Sequence, residues 1–377
     1  MDKITFFHCA DLHLDTPFRV LASKPGFPVM RRKEIFSGLT RLIEKVKSEN
    51  PEFLFIPGDL FEHEYTGLRT VSAVNGLFSS VPDTKVVMIA GNHDPEAANS
   101  HYRTYKWNDN VTFIGGDRDS IYFEDKNTEV FGLGWVSGTG QATKLETMEL
   151  NKERINILLF HGDVDLQIGN NNYNSISSHL LKSKGFNYVA AGHNHKRKTG
   201  EAGGIFYNPG SLEPLGFDEP GPHGYFFGTV QKSSLPDVNF CVNAETSYET
   251  MQIDISEFEE DEQIVTRLKP LLKPKGVLYK VVLTGSKPLD YNPDPAHIEK
   301  GLNDTSMFVK VRDESSVSIS IEELSVIKGL KGNFVRNILE QMEIAEEEGK
   351  VVLEKALYYG IEAIDNGKIE RAGGEDL

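Results

Sequence analysis

The chain has 377 residues, 39% of them hydrophobic and 25% charged, with a formal net charge of −16. That length predicts two or three domains, and the composition excludes a wholly disordered or fibrous chain. Two cysteines, Cys9 and Cys241, are too few for a disulfide framework or a thiolate zinc site; no apolar run approaches the ~18 residues of a membrane span; and an acidic surface gives no long-range attraction to polyanions.

Met1-Asp2-Lys3-Ile4 has no charged stretch leading into an apolar core, so no signal peptide is expected and the cytosol is the expected compartment. Residues 4–7 read as a buried strand. Residues 31–49 read as a helix, with Ile35, Leu39, Leu42, Ile43 and Val46 at helical spacing. Strands at 53–56 and 85–90 flank a helix at 67–79. Short β segments follow near 111–114, 121–124 and 128–133. Then come a strand at 155–160, a helix at 175–183, and strands at 188–191, 205–207 and 225–230. Strands alternating with helices predict an α/β layered fold. The β-rich later half predicts two sheets packed face to face.

Past residue 245 the pattern becomes a small α+β unit. It has strands at 250–255, 277–283 and 307–311, a helix at 257–272, and a loop at 287–295. From 333 two helical patterns follow. Phe334, Val335, Ile338, Leu339 and Met342 stripe the first. Val352, Leu353, Ala356, Leu357, Ile361 and Ile364 stripe the second, with Gly349 as the expected cap between them. Residues 372–377 are expected to fray. Amphipathic helices ordinarily pack on their own domain, but a pair at the chain end also suits a partner.

Five of the expected strands stop at metal-type ligands. They lead to Asp11-Leu12-His13, Gly58-Asp59, Gly91-Asn92-His93-Asp94, His161-Gly162-Asp163 and Gly192-His193-Asn194-His195. The carboxyl ends of parallel strands line the ligand crevice of α/β sheets, so these loops should meet. The set is three carboxylates or amides (Asp11, Asp59, Asn92) and four imidazoles (His13, His161, His193, His195). Such oxygen and nitrogen donors suit Mn²⁺ or Fe²⁺, and also Zn²⁺. Seven are too many for one ion and enough for two if a carboxylate bridges, with Asp59 the natural bridge. His93, adjacent to Asn92, is left for substrate, and Asp94 is expected to orient its ring.

Taken singly, an Asp-x-His pair or a Gly-Asp turn is weak, and each has an ordinary structural explanation. Together, each at a strand end, they outweigh it. His8 reads as a packed strand residue. His101, His179, His223 and His297 read as surface or structural, and His63 is open. The run Lys196-Arg197-Lys198 beside the last ligands reads either as a solvated turn or as a contact to a substrate backbone.

These motifs resemble the calcineurin-like metallophosphoesterases. The flanks, among them Ala10 to Phe18, Gly58-Asp59-Leu60-Phe61 and Asn208-Pro209-Gly210-Ser211 followed by Phe217-Asp218-Glu219, are similar to the SbcD and YhaO branch of bacterial DNA-repair exonucleases. The resemblance covers roughly residues 1–232. It implies a four-layer α/β/β/α sandwich with a small α+β capping domain and C-terminal helices. The corresponding domains are 1–245, 246–322 and 323–377. It further implies two Mn²⁺ per chain, with Fe²⁺ and Zn²⁺ as alternatives. One ion would take Asp11, His13, Asp59 and His195, the other Asp59, Asn92, His161 and His193. The implied partners are DNA, an SbcC-like coiled-coil ATPase and a second copy of the chain, with no membrane. Glu62 departs from the histidine that archaeal and eukaryotic nuclease subunits carry three residues after the bridging aspartate. The expected function is a metal-dependent DNA exonuclease or phosphodiesterase. A small-substrate phosphodiesterase or phosphatase and a non-catalytic scaffold are the alternatives.

Overall fold

The computed structural model describes residues 3–22, 24–135, 140–165, 175–287, 291–317 and 321–366; the tail expected to fray lies outside them. The chain divides into two compact units, Met1–Glu249 with Gly276–Leu278, and Thr250–Lys275 with Tyr279–Leu377.

The first unit runs β1 (Lys3–His8), α1 (Phe27–Glu49), β2 (Phe53–Pro57), α2 (Leu68–Ser79), β3 (Lys85–Ile89), α3 (His101–Thr104), β4 (Val111–Phe113), β5 (Ser120–Phe123) and β6 (Thr128–Leu133). It continues with α4 (Gly140–Thr147), β7 (Ile155–His161), β8 (Asp163–Val164), β9 (Ser175–Ile176), α5 (Ser178–Lys184) and β10 (Tyr188–Gly192). It closes with β11 (Lys198–Gly200), a one-turn α6 (Glu201–Gly204), β12 (Phe206–Asn208), β13 (Gly224–Gln231) and β14 (Asp237–Val242). One sheet has the order β14-β13-β1-β2-β3-β4 and the other β11-β12-β10-β7-β6-β5. Within each, the strands that carry candidate ligands run parallel: β1, β2 and β3 in the first, β7 and β10 in the second.

The period-two alternation of strands explains the layers. Ile4, Phe6, Phe53, Phe55, Val87 and Ile89 of the first sheet share one buried cluster with Val130, Ile155, Ile157, Leu159, Tyr188 and Ala190 of the second. On the second sheet's other face, Phe131, Leu158, Phe160, Val189 and Ala191 pack with Leu145 of α4 and Leu181 of α5. Leu54, Ile56, Val86 and Met88 are buried on the first sheet's other face, the side to which right-handed crossovers bring α1 and α2. The result is an α/β/β/α sandwich. The central strands β2, β3, β7 and β10 are buried on both faces, which is why they read as unbroken apolar runs. α1 starts four residues earlier than its periodicity suggests, because Gly26 caps it at φ 83° and a proline sits in its first turn.

The second unit contains β15 (Ser247–Asp254), α7 (Asp261–Leu268), β16 (Val277–Thr284), β17 (Ser286–Lys287), α8 (Pro295–Leu302), β18 (Phe308–Asp313) and β19 (Ser316–Val317). Its sheet has the order β15-β16-β18. The helix expected from 257 begins only at Asp261, where Glu260 and Gln263 form a reciprocal capping box. The sequence reading missed α8, although Asp294 caps it through Ala296 N at 2.9 Å and Pro295 opens it. Three helices follow: α9 (Ile321–Val326), α10 (Leu330–Ile344) and α11 (Glu347–Asn366). Gly349 is not the cap between the last two. It lies inside α11, and the chain breaks at Ala345, which is extended at φ −79° and ψ 146°. Nor is the α10 stripe free for a partner. Phe334, Val335, Ile338, Leu339 and Met342 close on Leu324, Leu353, Leu357 and Ile361 in a small core of their own. Among the described residues, no helix is long and apolar enough to cross a membrane.

Candidate metal centre

All five ligand-bearing loops meet at the seam between the two sheets. Turning sharply at three of the five strand ends strains the backbone. Asp11, His13, Asp59 and His193 have φ of 51°, 47°, 51° and 88°, in the left-handed region that side chains avoid. Such residues cost about 1–3 kcal/mol each and cluster where function demands a fixed geometry. Two glycines make the approach feasible. A Cβ on Gly58, itself at φ 90°, would meet His161 Nδ1 at 2.4 Å, and one on Gly91 would meet Asp59 Oδ1 at 2.1 Å.

Each of the four imidazoles has one nitrogen turned to an oxygen at its back. His13 Nδ1 lies 2.8 Å from Glu62 Oε1, His161 Nδ1 2.9 Å from the Pro57 carbonyl, and His195 Nδ1 2.6 Å from Glu219 Oε1. His193 is reversed, with Nε2 3.6 Å from Asp163 Oδ2. The remaining nitrogens converge. His13 Nε2 is 3.1 Å from His195 Nε2 and 3.5 Å from Asp59 Oδ2. His161 Nε2 is 3.4 Å from the same Asp59 oxygen and 2.9 Å from Asn92 Oδ1, which His193 Nδ1 also meets at 2.9 Å. The Asp11 carboxylate accepts from His193 N at 2.9 Å. Donor atoms of Asp11, His13 and His195, and of Asp11, Asp59 and His161, fall within 4.8 Å of one another in each group. A back-side acceptor fixes the proton on one ring nitrogen and leaves the other a lone pair. The ring nitrogens and two carboxylates facing one cleft need positive charge between them, protons when no ion is bound and divalent cations otherwise. The residues therefore fit a pair of divalent ions, with Asp59 between the two histidine pairs.

Charge follows the same geometry. Burial alone would raise the Asp59 carboxyl, but His161 and His13 outweigh it and hold the group well below the usual range. Burial opposes charge on His161 and His195 too. Asp59 lifts the first to about 9, and Glu219 lifts the second to about 9.

His93 groups with His13 and Glu62 and with neither the Asp11 nor the Asp59 carboxylate. Its side chain is 43% exposed, open enough to meet substrate, and Nδ1 lies 2.9 Å from Glu62 Oε1. That hydrogen bond is the largest cause raising its pKa. The partner expected from sequence, Asp94, is placed elsewhere. Its buried carboxylate accepts from Gly91 N at 2.7 Å, Phe61 N at 3.0 Å, Asp59 N at 3.1 Å and the Tyr102 hydroxyl. The tight turn at 91–94 sends the side chain back under the loops, where burial and the Asp59 charge push it up to about 7. Asp94 braces two ligand loops, and Glu62 orients His93. Glu62 itself is held at about 2: burial would raise it, but hydrogen bonds from His13 and His93 prevail.

The other candidates separate by contact. His8 is buried, with its ring nitrogens on the Tyr188 hydroxyl and the Ala191 carbonyl. His223 is buried beside Ser211 and Glu219. His101 Nε2 meets the Thr66 carbonyl at 3.0 Å, the His63 ring lies tilted 5.2 Å from His101, and His297 pairs with Glu262 at 3.1 Å. Lys196 and Arg197 are exposed, and the Arg197 guanidinium lies 4.2 Å over the Phe240 ring; Lys198 opens β11. Sequence reasoning gave no role to Trp135, which stacks on His193 at 5.8 Å between ring centres. It also missed Glu62, Asp163 and Glu219, the carboxylates behind His13, His193 and His195. The only signal was that each carboxylate stands a few residues from a ligand or inside a quoted motif.

The sequence model of the calcineurin-like phosphoesterase family matches residues 4–197, just over half of the chain. Over 303 residues the chain is 25% identical to the uncharacterized metallophosphoesterase YhaO of Bacillus subtilis (strain 168), spanning 76% of this chain and 73% of that protein. Over 309 residues it is 24% identical to the DNA double-strand break repair protein Mre11 of Methanopyrus kandleri, spanning 74% of this chain and 65% of that protein.

Proposed function

This chain belongs to the calcineurin-like phosphoesterase family and is a hydrolase of phosphoesters; from that premise we propose that it cleaves phosphodiester bonds of DNA as the nuclease subunit of a repair complex. The observation that carries the hydrolytic part is the half-open His93, held by Glu62 at the edge of the converging donors. The name of the archaeal relative and the flanking motifs around residues 10–18 and 208–219 support DNA as substrate.

Two Mn²⁺ are the proposed cofactors, held by Asp11, His13, Asp59 and His195 on one side and by Asp59, Asn92, His161 and His193 on the other. Bound there, they would supply positive charge against the phosphoryl oxygens and lower the pKa of the attacking water. His93 keeps its Nδ1 proton on Glu62 and presents Nε2 to the substrate. From Nε2 it donates a proton to the leaving oxygen, or a hydrogen bond to the developing charge. The strained loops hold this arrangement before substrate arrives, so little reorganisation is needed in the reaction. Lys196, Arg197 and Lys198 lie directly after His195 and offer charge to a DNA backbone.

The division into a nuclease domain at 1–245, a capping domain at 246–322 and partner-binding helices at 323–377 remains part of this proposal, as do the cytosol, a homodimer and the coiled-coil ATPase. With the α10 stripe closed inside the helices, the partner surface moves to exposed Ile344, Val351, Val352, Tyr358 and Tyr359.

The net charge of −16 favours a second reading, a small phosphoester substrate. Purified protein with Mn²⁺ is incubated with labelled duplex DNA, single-stranded DNA and bis-p-nitrophenyl phosphate. Shortening of DNA from its ends, together with turnover of the ester, is expected. Ester turnover alone would sink the nuclease reading, and no turnover at all would leave a scaffold.

A further inference from the structure

The loop between β12 and β13 has no catalytic assignment, yet it is fastened at both ends by buried polar contacts. Below, Arg31 Nη2 of α1 donates to the Pro214 carbonyl at 2.8 Å, and Arg41 Nη2 to Glu213 Oε1 at 2.6 Å. Arg31 is fully buried between Phe18 and Tyr248. α1 admits Glu213 only because residue 38 is glycine, since a Cβ there would meet Glu213 Oε1 at 2.7 Å. Above, Glu219 is 5% exposed and its two oxygens are differently occupied. Oε2 accepts from Ser211 Oγ at 2.6 Å and from Leu215 N at 3.0 Å. Oε1 faces His195 Nδ1 at 2.6 Å. His223 closes the loop, with Nδ1 on the Ser211 hydroxyl at 2.9 Å and Nε2 on the Glu219 carbonyl at 3.0 Å.

We propose that Glu219 is a positioning residue that fixes the proton of His195 on Nδ1, and that the 208–223 loop is the bracket that holds it there. The inference rests on the two-ion reading of the cleft. A proton on Nδ1 leaves the Nε2 lone pair directed at His13 Nε2 and the cleft. A charged acceptor also makes the imidazole a stronger donor to a cation. The bracket gives a role to the buried carboxylates of this loop and to the α1 arginines that fasten it: His195 follows a strand end in a turn, and the contact at its Nδ1 comes from this loop.

Glu219→Gln separates this role from a structural one. The amide has one oxygen. Two loop donors compete for it against one imidazole, so the oxygen stays with Ser211 and Leu215. The NH₂ then faces His195 Nδ1, which must give up its proton and carry one on Nε2, aimed at the cleft. The fold keeps its contacts and one ion loses a ligand. Mn²⁺ titration by calorimetry, with free Mn²⁺ counted by electron paramagnetic resonance, should show two equivalents in the unaltered protein. In Glu219→Gln one equivalent should weaken by about 10–100-fold, the range for loss of such an outer partner. The other should stay, and the melting temperature of the metal-free protein should be unchanged. Ser211→Ala, which removes one donor without touching His195, should weaken the same equivalent by less. Unchanged affinities in both variants overturn the proposal. So does loss of both equivalents together with a lower metal-free melting temperature, because the loop would then only support the fold. An unaltered protein that binds no Mn²⁺ would remove the two-ion reading itself, and this inference with it.

Discussion

Glu62 Oε1 serves two imidazoles at once, His13 at 2.8 Å and His93 at 2.9 Å. The rings sit 4.6 Å apart at 82°, so the half-exposed His93 is held against the buried His13. Removing either ring has a different consequence. His93→Ala should lower kcat on bis-p-nitrophenyl phosphate by about 10²–10⁴, the usual loss for a general acid. Both Mn²⁺ should stay, because the two donor groups built on Asp11 and Asp59 do not include His93. Glu62→Ala should lower kcat and also weaken metal binding, because it frees both rings. Metal analysis beside the kinetics decides the assignment. If manganese falls with activity in His93→Ala, the residue is a ligand.

His8 ends β1 and reaches across to β10, with Nδ1 on the Tyr188 hydroxyl at 2.9 Å and Nε2 on the Ala191 carbonyl at 3.0 Å. It ties one sheet to the other just below the cleft. Burial lowers its pKa to about 3, from the ordinary 6.5. Between those values the unfolded chain binds a proton that the folded chain refuses. Stability is therefore full above pH 6.5 and falls as pH drops toward 3. From pH 7 to pH 5 the loss from this residue is about 2 kcal/mol. His8→Gln, which keeps polar atoms but does not titrate, should lose that much less over the same step in urea unfolding. Parallel losses in the two proteins would show that His8 is not held neutral. The central strands were the legible elements in the sequence, since burial on both faces writes β2, β3, β7 and β10 as unbroken apolar runs ending at a candidate ligand. α8 and β14 were not, being short or half-exposed. At the cleft, the converging side chains announced themselves by type and position. Their orienting partners did not, because pairs such as His195 with Glu219, or Asp59 with the turn at Asp94, form between loops that only the fold brings together. Adjacency in sequence pointed to Asp94 as the partner of His93, and turn geometry gave the position to Glu62.

On the proposed reading, this acidic chain must gain its attraction to DNA locally or from a partner. The three C-terminal helices bear on that question through what they bury. Leu324 of α9, Val335 and Ile338 of α10, and Leu357 of α11 are 9% exposed or less, and they are buried against one another. A cut at the loop before α10 would strip Leu324 and Ile327 of their cover. A cut after Val317 removes all three helices with their shared core. The shorter protein should therefore keep Mn²⁺ binding and hydrolyse bis-p-nitrophenyl phosphate within about twofold of the full chain, since a self-contained helical cluster adds little to the cleft. It should no longer co-purify with a coiled-coil ATPase, because exposed Val351, Val352, Tyr358 and Tyr359 leave with it, and its action on long duplex DNA should fall. Aggregation, or a drop in melting temperature with loss of ester hydrolysis, would show instead that the helices shield apolar surface of the remaining chain.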